Sequence, residues 1–124
     1  MIIITNNPIV KKQLTNKEIL QKDITYIEIL KECRDLIHKG YELLSHPLYG
    51  SVKPNETPYR SVIMKKGHNL DHNSLILIEE AIATATKFQN NKKTPNWTDQ
   101  VIDDFRVIDF DILNNTLQRI EYIV

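Results

Sequence analysis

With one cysteine, Cys33, the chain cannot close an internal disulfide or build a cysteine-based zinc site. Glycine is almost as scarce, three in 124 residues, and none falls in a P-loop or a GxGxxG run; GxSxG and CxxC are missing too. The usual nucleotide and hydrolase signatures are therefore absent. Nor is there an excess of either charge, because 16 Lys+Arg balance 16 Asp+Glu and the two signs are interspersed. That balance argues against nucleic acid or an acidic membrane surface as a partner, since both require a basic excess. The apolar start, MIIITNNP, is short and has no basic flank, so neither a signal peptide nor a membrane anchor is expected. The expectations are a soluble cytoplasmic protein with no cofactor and no metal.

What is present suits one α/β domain over residues 1–124, long enough to bury a core unaided. Ile2-Ile3-Ile4-Thr5 is β-branched throughout and reads as a strand buried on both faces. Asn7 then suits an N-cap and Pro8 the first helical position, with a short helix through about Leu14. Thr15-Asn16-Lys17-Glu18 has capping-box spacing, which allows a further turn or two. Ile24–Ile27 reads as a second strand. Ile29, Leu30, Cys33, Leu36 and Ile37 recur at three and four, a helix face on which Cys33 is a buried, inert thiol. Gly40 fits the left-handed position after that helix.

Tyr41–Ser45 and Ser61–Lys65 read as strands three and four, and Asp71 caps a helix running to about Phe88. Thr98 fits the cap of a short helix through Phe105, and Asp109 or Asp111 the cap of a final one. Residues 105–110 fit an edge strand equally well. The sum is a three-layer α/β sandwich with about four strands, mostly parallel and flanked by helices. Strand four follows strand three with no helix between, so it is either antiparallel or reached by a crossover.

Between strands three and four lies SHPLYGSVKPNETPYRSV, residues 45–62, with three of the five prolines and no periodicity. A structureless connection of that length is uncommon in a small domain and is usually functional or disordered; its prolines and apolar flanks argue for order. Ligands of open α/β sheets collect at the carboxyl ends of the strands. If strands one and three run in parallel, Asn6, Asn7 and His46 share one edge with the loop. The candidate ligand-binding residues are Asn6, Asn7, His46, Ser51, Lys53, Asn55, Glu56, Thr57, Tyr59 and Arg60. Lys53 and Arg60 would hold an anion beside the N–H groups of the helix after Pro8. His46 would move a proton if the protein is an enzyme.

Each has a plainer reading. Asn7 serves as a cap, His46 bonds the backbone, Lys53 and Arg60 are solvated, and Glu56 pairs with one of them. Tyr59 packs its ring, and Thr57-Pro58 and Gly50-Ser51 fix turns. His68 and His72 are four apart but lack a carboxylate at ligand spacing, so no metal site is read there. Trp97 reads as a core anchor or interface residue.

ITNNP at the amino end, RDLIHKG at Arg34–Gly40 and LLSHPLYGSVKPNETPYRSV from Leu43 resemble the GrdX family. These small proteins are encoded with the glycine, sarcosine and betaine reductase systems of amino-acid-fermenting anaerobic bacteria. The resemblance is strongest over 34–63 and fades after about Phe88. It implies an accessory or regulatory protein rather than a catalytic subunit, because the reductase chemistry belongs to selenocysteine and cysteine subunits. The partners implied are a small anionic metabolite or the reductase subunits, with a homodimer left open. The alternatives are a small enzyme acting on an acyl phosphate or amino-acid carboxylate, and a structural adaptor.

Overall fold

Ile2–Thr5 forms β1 in the interior of a four-stranded sheet of order β2-β1-β4-β3. A computed structural model describes residues 1–50 and 52–123. Along the chain, β1 is followed by α1 (Val10–Gln13), β2 (Glu18–Gln21), α2 (Tyr26–His38), β3 (Tyr41–Leu43) and β4 (Ser61–Lys66), then α3 (His72–Asn91) and α4 (Asp99–Ile123). The fold is α/β.

The sheet is mixed, which corrects the expectation of a mostly parallel one. Only β1 and β2 pair in parallel; β4 is antiparallel to both β1 and β3. The cause is the connection. Parallel neighbours need a crossover, whereas the helix-free loop after β3 returns the chain alongside β3 in the opposite direction. Because β4 opposes both neighbours, β1 and β3 point the same way without touching. The carboxyl ends of β1, β2 and β3 and the amino end of β4 therefore lie along one edge.

Alternation along the strands divides the core in two. Ile4, Val62 and Met64 cluster with Ile29, Leu30, Cys33 and Ile37 of α2 and with Ile78, Ala81 and Ala85 of α3. Ile3 and Ile63 cluster instead with Val10 of α1 and Leu113 and Leu117 of α4.

Two further expectations are corrected. The strand read at Ile24–Ile27 is the entry of α2, and β2 lies at Glu18–Gln21 instead. A capping box decides this: Thr25 Oγ1 accepts from Glu28 N, and Glu28 Oε1 accepts from Thr25 N. Thr15–Glu18 has the same spacing but leads into a strand. These backbone and side-chain bonds from Thr25 hold the Glu28 carboxyl below its ordinary range. Its contribution to α2 is present above that range and is lost as pH falls through the lowered value. The carboxy-terminal stretch, read as two short helices or an edge strand, is one helix of 25 residues.

Gly40 has φ +99 after α2, as the spacing requires, and its carbonyl accepts from Gly67 N at 3.0 Å. A Cβ on Gly67 would sit 2.6 Å from that carbonyl oxygen. Gly67→Ala should therefore push β3 and β4 apart at this end and cost about 1–3 kcal/mol. Urea titration of the variant checks this, and an unchanged midpoint would refute the close approach. Among the described residues, no helix is long and apolar enough to cross a membrane.

Candidate functional site

The sheet edge is built first by two asparagines that follow β1. Asn6 Nδ2 donates to Ile24 O and Pro58 O, both at 2.8 Å, and its Oδ1 accepts from Arg60 N at 2.8 Å. One side chain thus ties the approach to α2 to the end of the long loop. Asn7 is fully buried. Its Nδ2 donates to Arg106 O and Asp109 Oδ2, and its Oδ1 accepts from Ile9 N at 3.2 Å. Every polar atom of both side chains has a protein partner, which is structural use of the groups expected to orient a ligand.

Arg60 stands where the loop enters β4. Its Nη1 donates to Tyr49 O at 2.8 Å and more loosely to Pro47 O and the Tyr26 hydroxyl. The guanidinium carbon lies 4.7 Å from the Tyr49 ring centroid and 5.5 Å from that of Tyr26. Its Nη2 is 3.6 Å from Asp109 Oδ1, with both side chains almost wholly buried. Asp109 Oδ2 in turn accepts from Ser61 Oγ at 2.7 Å and Asn7 Nδ2 at 3.0 Å. Burial pushes the Tyr26 phenol up, against the pull of the neighbouring Arg60 charge.

The remainder of the loop is strapped down at several points. Ser45 Oγ accepts from Ile63 N, and Asn55 Nδ2 donates to Lys92 O. Pro54 O accepts from Gln89 Nε2, and Glu56 O from Trp97 Nε1. Thr57 Oγ1 accepts from Tyr59 N, and the Tyr59 hydroxyl accepts from Arg106 Nε at 2.8 Å. Trp97 is thereby an anchor for the loop, and its ring also packs against Phe105 at 5.8 Å.

On the α2–α3 side of this edge opens a cleft of about 720 Å³. Its lining comes from the β2–α2 turn and the start of α2 (Asp23, Thr25, Tyr26, Glu28), from Asn6, Pro58 and Tyr59, and from the end of α3 with the segment after it (Gln89, Lys93, Thr94). That volume suits a small molecule. A smaller depression of about 440 Å³ lies across the sheet's other end, around Lys65–Asp71. It contains none of the candidate residues, and the strand-end position favours the first as the functional cleft.

The ten candidates divide accordingly. Asn6 and Tyr59 line the cleft. Thr57, Tyr59 and Arg60 line a much smaller gap against α4. His46, Lys53 and Glu56 are exposed and line neither. His46 Nδ1 accepts from Leu48 N at 3.0 Å, the backbone bond of its plainer reading. Asn55 is buried on Lys92, Asn7 on Asp109, and Ser51 lies outside the described residues. The anion seat at the helix after Pro8 is not built, because α1 is only four residues long and starts at Val10.

Asp109, Arg106 and Lys93 were not among the candidates. For Asp109 a signal existed: it stands four and eight residues before Leu113 and Leu117, a charge on an apolar stripe. Cys33 is fully buried, and desolvation pushes its thiol up. Among the described residues, no three His, Cys, Asp or Glu side chains come together to hold a metal.

Comparison with known proteins gives one match, the family model described as GrdX-like protein, over residues 2–118. None of the curated proteins and none of the solved structures matches the chain.

Proposed function

Since the chain belongs to the GrdX-like protein family, we propose that it is an accessory or regulatory protein of a glycine, sarcosine or betaine reductase system. In this reading it binds a small carboxylate-bearing metabolite in the strand-end cleft, with the 45–62 loop supplying one wall through Pro58 and Tyr59. The supporting observation is the charge of the lining. Among the described lining residues Lys93 is the one basic side chain, and Asp23 and Glu28 line the α2 side. A lysine paired to the carboxylate and an acidic wall facing a cationic nitrogen would together suit an amino acid or N-methylated amino acid.

Binding is favoured over turnover because the groups expected to do chemistry do not meet in the cleft. His46 and Lys53 are exposed elsewhere, and Arg60 is buried against Asp109. Reductase subunits are the macromolecular partners this reading implies.

A thermal melt against glycine, sarcosine, betaine, phosphate, acetyl phosphate and common nucleotides tests the proposal. A ligand at about a hundred times its dissociation constant adds roughly 2.7 kcal/mol, several degrees for a chain of this size. A carboxylate compound should raise the melting temperature, Lys93→Ala should abolish that shift, and His46→Ala should leave it intact. No shift with any compound, or one indifferent to Lys93, would overturn the cleft reading and direct the search to the reductase subunits.

A further inference from the structure

The two edges of the sheet are not alike. At β3 the edge is short, and its outward N–H at Leu43 is already taken by Ser74 Oγ of α3 at 2.9 Å. At the other end of the order β2-β1-β4-β3, β2 has β1 on one side only. The N–H of Lys22 donates to Thr5 O of β1 at 3.0 Å. By alternation Glu18, Leu20 and Lys22 therefore turn their backbone groups inward, and Ile19 and Gln21 turn theirs outward. The helices lie chiefly over the other strands, α2 over β1 and β3 and α4 over β4. Ile19 and Leu20 are half-buried, whereas Glu18, Gln21 and Lys22 are exposed. An open edge of this kind is a template for another strand.

We propose that β2 is the contact through which two copies of this chain pair, antiparallel and centred on Leu20, about a two-fold axis perpendicular to the sheet. The sequence of the edge names the occupant. Around Leu20, Glu18 falls opposite Lys22 and Ile19 opposite Gln21, with Lys17 opposite Asp23 just beyond. Each charge of the edge thus meets its opposite in the second copy, twice by symmetry. The backbone agrees. Ile19 and Gln21, the outward-facing residues, become the hydrogen-bonded pair, and Leu20 meets Leu20 at the closer, non-bonded position. Such an axis keeps each face of the sheet on its own side, so the neighbouring centres are Ile19 and Gln21. Those would set Glu18 against Leu20 or Asp23 against Ile19, and match no charges. Charges on an edge ordinarily deter pairing; here their spacing favours one register of self-pairing. Lys22 and Lys17 already meet Glu32 and Glu121, and exposed pairs of that sort are weak enough to be shared across the axis.

Sedimentation equilibrium of the intact protein and three variants tests this. The parent should sediment at twice the mass of one chain. Glu18→Lys sets lysine against Lys22, and Lys22→Glu sets glutamate against Glu18, twice in each dimer. Each should raise the dissociation constant at least about tenfold, since like charges directly opposite are unfavourable. An equal mixture of the two restores every opposite pair and should associate as the parent does, which misfolded variants could not do. Gln21→Pro removes an outward N–H while sparing the bonds to β1, so it should give a folded monomer. A parent monomeric at every concentration, a dimer indifferent to these changes, or a mixture that stays apart would each overturn the proposal.

Discussion

Arg60→Met is expected to destabilise the protein by about 3–5 kcal/mol, the range for removing one partner of a buried ion pair. Methionine fills much of the same volume and keeps the contacts with the Tyr26 and Tyr49 rings, so the loss is not mainly one of packing. It arises because Asp109, 3% exposed, keeps a charge with only Ser61 Oγ and Asn7 Nδ2 to bond it. The carbonyls of Pro47 and Tyr49 lose their donor as well. Of a total stability of about 5–15 kcal/mol, such a change removes a large part. Adding Asp109→Leu to Arg60→Met should recover stability, since an uncompensated buried charge costs more than an apolar pair. Urea unfolding of the single and double variants decides it. A single variant within about 1 kcal/mol of the parent would mean that the pair is solvated and worth little.

Asn6→Ala should have the next largest effect, roughly 3 kcal/mol, because three backbone groups lose their partner at once. Those groups are Ile24 O, Pro58 O and Arg60 N. Unlike the arginine, this residue lines the cleft, and its bonds set the distance between the wall at Ile24 and the wall at Pro58. The variant should therefore also weaken any ligand that the parent binds. Asn6→Asp separates the two effects. It keeps the acceptor for Arg60 N and loses both donations to carbonyls, so the β1–β4 bond survives while the walls part. Calorimetric titration beside a thermal melt reads both quantities, and an Asn6→Ala protein of parental stability would contradict the clamp.

The elements legible in the sequence were those with an unambiguous local signal. Ile29 to Ile37 has helical spacing, Gly40 stands where a left-handed residue is needed, and Asp71 caps α3 with its carboxylate on Ser74 N. Thr25–Glu28 carried two conflicting signals, β-branched residues and a capping box, and the box prevailed because α2 buries a full stripe. The direction of the sheet was legible only as an alternative, since a helix-free connection fixes the turn-back but not which strands become neighbours.

The site was half legible. The odd composition of 45–62 marked the region, but most of its polar side chains hold the loop itself. Their partners, Lys92, Trp97, Arg106 and Asp109, lie 37 to 49 residues further on. No local pattern can announce bonds over that separation.

The place of β4 between β1 and β3 also governs how the chain can fold. As the last strand to be made, Ser61–Lys66 is the one through which the sheet becomes continuous. Before it emerges, β1 has only β2 beside it and β3 has no strand at all. The first 44 residues therefore hold two unconnected edges, and closing them requires contacts of long sequence separation, which slow folding. α4 must arrive later still to cover Ile3 and Ile63. An interrupted or truncated chain would expose bare strand edges and an uncovered apolar face together, the combination that favours association with other copies.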